Sequence, residues 1–195
     1  MGKNRLEAFS DGVLAIIITI MVLEMKVPHG EAFSDLSSVV PVFLSYILSF
    51  VYVGIYWNNH HHLLHTVKRV SGPVLWANLH LLFWLSLFPF ATGWMGENHF
   101  APSPSALYGV VLLMAAFAYL LLQWAIIACD PENSLLKQIL GSDWKGKTSV
   151  IFYIAGICTA MLWESWIAQA LYVIVAFMWL IPDRRIERTF QNANN

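Results

Sequence analysis

The chain has 195 residues, of which 58% are apolar and 12% charged, and its mean hydropathy is +0.60. A soluble domain carries about a quarter charged residues, so this composition excludes an ordinary water-soluble fold and predicts an all-α integral membrane protein. The formal net charge of −1 says nothing about partners, because the charges are sorted by loop.

Six apolar stretches are predicted to cross the membrane, at residues 6–25, 39–62, 73–94, 105–129, 148–163 and 166–181. Each is judged against the roughly 20 residues a bilayer crossing needs. Together they form one domain over residues 1–195. The first stretch opens with Arg5, Glu7, Phe9, Ser10 and Asp11, then becomes wholly apolar except for Thr19. An ionisable group inside a span costs roughly 2.5–3.5 kcal/mol on insertion scales, so Asp11 needs a buried partner or an ion path. Lys3 and Arg5 ahead of an apolar core resemble a secretory leader. The core is too long, Glu7 and Asp11 interrupt it, and no small-residue cleavage site follows, so it is read as a retained helix. At 100° per residue Phe9, Gly12, Ile16, Ile20 and Leu23 fall on one stripe, with Thr19 at its edge, while Ser10 and Asp11 point elsewhere.

The second stretch ends in Asn58-Asn59-His60-His61-His62-Leu-Leu-His65. His61 and His65 stand one turn apart, as do His62 and His65, which is metal-ligand spacing on a helix. Membrane di-iron oxidases use several such boxes, whereas His29, His80 and His99 form no others. The run is therefore read as an interfacial histidine cluster with no metal, and a membrane metalloenzyme as a lesser alternative. In the third stretch Pro89 predicts a kink. The fourth is uninterrupted; the fifth and sixth, separated by Glu164-Ser165, are read as a tight helical hairpin. Between the fourth and fifth, Leu135, Leu136, Ile139 and Leu140 among charges predict a short amphipathic helix on the membrane surface. Cys129 and Cys158 read as small buried hydrophobes and not as a disulfide. Trp94, Trp144, Trp163 and Trp166 near span ends fit an interfacial aromatic belt.

Six crossings with both termini cytoplasmic place Lys3, Arg5, Lys68, Arg69, Lys137, Lys145, Lys147, Arg184, Arg185 and Arg188 inside, leaving Lys26 alone of the 11 basic residues outside. The expected location is the cell membrane. There is no Gly-rich phosphate loop and no room for a nucleotide domain, and neither nucleic-acid binding nor enzymatic activity is expected. A secondary transporter is a further alternative, but no inverted repeat with matching helix breaks is visible.

Arg5-x-x-x-Phe9-Ser10-Asp11 followed by the aliphatic run with Thr19 resembles the first-helix signature of the transmembrane protein 175 family of potassium channels. Trp57-x-x-His60-His61 resembles that family's second-span element, and Asn78-Leu79 with Leu87-Phe88-Pro89-Phe90-x-Thr92 its third. The single Phe-Ser-Asp copy is similar to the prokaryotic form, in which one six-helix unit is the subunit. The resemblance implies a homotetramer in the lipid bilayer with four first helices around a central pore, passing monovalent cations and above all K+, with no cofactor. It implies a constriction of aliphatic rings at Ile16, Ile20 and Leu23, in place of the carbonyl filter of ordinary potassium channels. Thr19 falls at the family's selectivity position; its hydroxyl reads equally as an ion ligand or as bonded to its own helix. The transferred constriction coincides with the stripe found by angular spacing. Arg5, Phe9, Ser10, Asp11, Trp57, His60, His61 and Asn78 are expected to form a polar network that seats the pore helix, since unpaired polar groups are costly in lipid.

Overall fold

The computed structural model describes residues 2–67, 70–130 and 144–180. Among the described residues the chain is all-α: α1 (Lys3–Leu23), α2 (Val40–His65, entered through a 3-10 turn at Phe33–Val39), α3 (Gly72–Ser86), α4 (Phe88–Glu97), α5 (Pro102–Cys129), α6 (Trp144–Leu162) and α7 (Ser165–Leu180). α3 and α4 are the halves of one kinked rod, so the seven helices make six rods. The cause is Pro89, in the first turn of α4: it has no N–H to bond the carbonyl four residues back, and the ladder resumes with Ala91 N–H on Leu87 O at 3.0 Å.

Among the described residues four rods are long and apolar enough to cross a bilayer: Lys3–Leu23, Phe33–His65, Gly72–Glu97 and Pro102–Cys129. α7 is apolar but shorter, and α6 begins with Lys145 and Lys147 among its first four residues. Trp163 and Glu164 reverse the chain between α6 and α7. These are the features of a multi-pass membrane protein.

Side-chain contacts identify the two ends of the bundle. At one end Lys3 Nζ donates to His65 O at 3.2 Å, Ser71 meets Cys129, and the Lys145 ammonium lies 5.8 Å from the Trp179 ring centroid. At the other, Lys26 Nζ donates to Glu97 Oε1 at 2.7 Å and the Phe100 and Trp166 rings pack 5.6 Å apart. The Glu97 hydrogen bond holds the Lys26 ammonium above its ordinary pKa. The contribution of this exposed pair is therefore complete at neutral pH, fades only in alkali, and is small because water screens it.

The interior is built from aromatic and small residues. Tyr52, Tyr108, Tyr172 and Phe88 are fully buried, and the three tyrosine hydroxyls are satisfied within the bundle, as lipid requires. Tyr52 Oη donates to Tyr172 O at 2.6 Å, and Ser49 Oγ lies 3.0 Å from Tyr108 Oη and 2.6 Å from Thr92 Oγ1. Gly109 on α5 and Gly156 on α6 leave the room that the Tyr172 ring fills; a Cβ at either would run into that ring or its hydroxyl. Small residues at such crossings let membrane helices approach closely.

Both cysteines are free, but Cys129 is only half-buried and Cys158 is exposed. The expectation of buried positions fails for a physical reason: an apolar stretch of a membrane helix can face lipid instead of protein. Trp94, Trp144, Trp163 and Trp166 are all exposed near rod ends. The surface-helix residues Leu135, Leu136, Ile139 and Leu140 lie outside the described residues, as do Lys68, Arg69, Lys137, Arg184, Arg185 and Arg188.

Candidate functional site

α1 has two faces of different use. Leu6, Ser10, Leu14, Ile17 and Met21, spaced by three and four, are buried against α2, α3 and α4, the helices that α1 touches. The opposite face carries Phe9, Gly12, Ile16, Thr19, Ile20 and Leu23, all of them exposed in the single chain. Ile16 is 59% exposed and Leu23 76%, whereas neighbouring Ile17 is 2% exposed. Thr19 Oγ1 donates its proton to Ala15 O at 2.9 Å. That bond uses the donor and leaves the oxygen lone pairs on the open face.

The polar start of α1 is anchored from the other side. Ser10, fully buried, donates to Leu6 O at 2.9 Å and accepts from Asn78 Nδ2 of α3 at 3.0 Å. Asn78 Oδ1 faces His60 Nε2 of α2 at 2.7 Å. Since the amide oxygen can only accept, the network assigns the proton of a neutral His60 to Nε2. Ser10, Asn78 and His60 thus join α1, α3 and α2 through one buried chain of bonds, with Asn78 as the bridge.

A second set of contacts runs along the α1–α2 seam. Trp57 Nε1 donates to Asp11 Oδ1 at 3.1 Å, Glu7 Oε1 lies 3.1 Å from His61 Nδ1, and Lys3 Nζ bonds His65 O. Residues 3, 7 and 11 on one helix meet 65, 61 and 57 on the other, four apart on each. Two antiparallel helices with i, i+4 faces in register produce such a ladder. The Trp57 ring also stacks on His61, with centroids 6.3 Å apart.

Six of the eight residues expected in the network, namely Ser10, Asp11, Trp57, His60, His61 and Asn78, lie in these two sets. Arg5 and Phe9 do not. Both are exposed within the single chain, where Arg5 makes no side-chain bond among the described residues. Glu7 and His65 were missed. Their signal in the sequence was the four-residue spacing of Lys3, Glu7 and Asp11, which acquires meaning only beside the matching spacing on α2.

The family model described as the endosomal/lysosomal potassium channel TMEM175 matches residues 5–89, a segment that holds both sets of contacts except Lys3. The chain is 59% identical over 191 residues to a potassium channel of Chryseobacterium sp. (strain P1-3), covering 98% of this chain and 99% of that relative. It is 38% identical over 96 residues to the Homo sapiens endosomal/lysosomal proton channel TMEM175, covering 43% of this chain and 19% of that protein. Its fold matches the crystal structure of a Chamaesiphon minutus homolog of the lysosomal potassium-selective channel TMEM175. That match has a TM-score of 0.77 at 24% identity and covers 91% of this chain and 96% of that one.

Proposed function

The chain belongs to the transmembrane protein 175 family, and we propose that it is a potassium channel whose pore forms between four copies around the exposed stripe of α1. Its similarities are to ion channels and not to enzymes. The relative matched over its whole length is named a potassium channel, and K+ is the ion assigned here.

One observation carries the reading: α1 buries one face in its own bundle and leaves Ile16, Ile20 and Leu23 uncovered on the other. The bundle interior, among the described residues, is filled by buried side chains such as Tyr52, Tyr108 and Phe88. This supports an ion path between copies, with the open face of α1 as its wall.

Rings of isoleucine and leucine offer no ligand to replace water around a cation, so a narrow ring blocks by dewetting. Conduction then requires the rings to widen until a largely hydrated ion passes. K+ holds its water more weakly than Na+ and loses less on partial dehydration, which gives moderate selectivity. The Thr19 oxygens, with their lone pairs left outward, supply the nearest ligands beside the rings. Ser10, Asn78, His60, Asp11 and Trp57 act at one remove, by fixing the rotation and height of α1. Arg5 and Phe9, uncovered in one chain, are assigned to contacts between copies. The basic end of the bundle, with Lys3, Arg5 and Lys145, is assigned to the cytoplasmic side of the cell membrane, the side to which both termini are also assigned.

Flux through tag-free protein in lipid vesicles, under opposed K+ and Na+ gradients at equal and then unequal pH, tests the proposal. A passive current reversing near the K+ potential, and changed in size or selectivity by Ile16→Asn, is the expected result. Reversal at the proton potential would move the assignment to the ion named for the animal relatives. Saturating flux coupled to a second ion would replace the channel with a transporter.

A further inference from the structure

The end of the α1–α2 ladder holds three side chains with the chemistry of a metal site. Glu7, His61 and His65 each offer one ligand atom, and these atoms all lie within 4.8 Å of one another. His61 and His65 are one turn apart on α2 with ring centroids 4.5 Å apart, and Glu7 arrives from α1 with its Oε1 at 3.1 Å from His61 Nδ1. Glu7 and His61 are half-buried and His65 is exposed, so the trio is reachable from solvent on the His65 side. Spacing along the sequence paired His61 with His65 and His62 with His65, whereas Glu7 comes from a helix fifty-odd residues away in the chain.

We propose that Glu7, His61 and His65 bind one divalent cation of the zinc class, which then staples the start of α1 to the end of α2. Two imidazoles and one carboxylate are a recurrent set for a borderline cation that keeps an open position for water. Metal–ligand bonds of about 2.0–2.2 Å require ligand atoms to stand roughly 3.3 Å apart, so the trio closes by side-chain rotation with the helices left in place. Where His61 Nδ1–H donates to the Glu7 carboxylate, that proton leaves to solvent and the metal takes its place between the same two atoms. Trp57, stacked on His61, limits the ring's freedom and aims it along the seam. The opposing charge is Lys3, whose ammonium sits on the His65 carbonyl; it is a long exposed side chain able to swing away. The binding does not depend on the channel assignment. Its consequence, a pore helix held at its first turn, does.

The test uses purified tag-free protein titrated with Co2+, whose visible absorption reports coordination number, followed by displacement with Zn2+. One site per chain is expected, with the spectrum of a four- or five-coordinate ion. His65→Ala and Glu7→Gln should each weaken binding at least about tenfold, since losing even a group that only hydrogen-bonds to a metal ligand costs about 10–100-fold. Lys3→Gln should tighten it. A double variant at the opposite end of the bundle, His29→Ala with His99→Ala, should leave it unchanged. Equal affinity in the wild type, His65→Ala and Glu7→Gln, or loss of binding in the His29/His99 variant, would overturn the site. Because the readout is spectroscopic, a protein that binds Co2+ here but passes no current would refute the channel and keep the metal site.

Discussion

The indole N–H of Trp57 donates to the Asp11 carboxylate at 3.1 Å, and this bond is how α1 carries an acid into an apolar rod without leaving it unpartnered. Asp11 is half-buried and Trp57 is 49% exposed, so the bond is worth less than a fully buried charged one, about 1 kcal/mol. Trp57→Phe should lower the melting temperature slightly. Asp11→Ala combined with Trp57→Phe should cost less than the sum of the two, because they remove the same bond. Melting in detergent, compared across the four proteins, reads the coupling; strict additivity would mean the bond is absent in solution.

Asn78 is the more expensive residue to lose. Asn78→Leu strips both partners from one bridge, leaving the His60 Nε2 proton and a Ser10 lone pair facing an apolar side chain. Each buried unsatisfied group costs about 1–3 kcal/mol. The variant should melt well below wild type and show a smaller oligomer on size exclusion. Asn78→Asp, which keeps an acceptor for His60 but no donor for Ser10, should fall between.

Neighbouring isoleucines should give opposite outcomes. Ile17→Asn puts an amide on the buried face at a site 2% exposed and should destabilise by more than about 2 kcal/mol. Ile16→Asn, on the open face, should fold and melt like wild type while changing conductance. Melting curves and vesicle flux on the same preparations separate the two. Matching defects in both assays at both positions would erase the distinction between a packed and an open side of α1.

At Thr19 the structure leaves one oxygen facing out and its proton bonded to Ala15. Thr19→Val preserves shape and removes the oxygen. If the lone pairs serve the ion, the shift in reversal potential between K+ and Na+ should shrink while the protein stays folded. An unchanged reversal potential assigns the hydroxyl to its helix alone.

Gly109→Ala should be destabilising by about 1–3 kcal/mol, the usual cost of overpacking, since the new methyl meets the Tyr172 hydroxyl. Deleting that hydroxyl makes space, so Gly109→Ala with Tyr172→Phe should recover part of the loss. The recovery is incomplete because the methyl still meets the Tyr172 ring and Ile157, and because the same hydroxyl also donates to Ser105 O. Thermal midpoints of the two single variants and the pair check this.

Composition and the lengths of apolar runs were enough to read a six-rod all-α membrane protein. Hydrophobicity over about 20 residues is a local property, and Pro89 breaks its ladder whatever surrounds it. The stripe of Ile16, Ile20 and Leu23 was likewise legible, because helical periodicity fixes which residues share a face. Which face the bundle would bury was not: α1 is apolar nearly all round, and only packing against α2, α3 and α4 set Leu14 and Ile17 inward. The network was partly legible, since unpaired polar groups in lipid must find each other, but its pairing was not. The bridge through Asn78 and the meeting of Glu7 with His61 and His65 depend on the register of antiparallel helices. That register is set by how distant side chains interlock, and no single segment of the chain contains it.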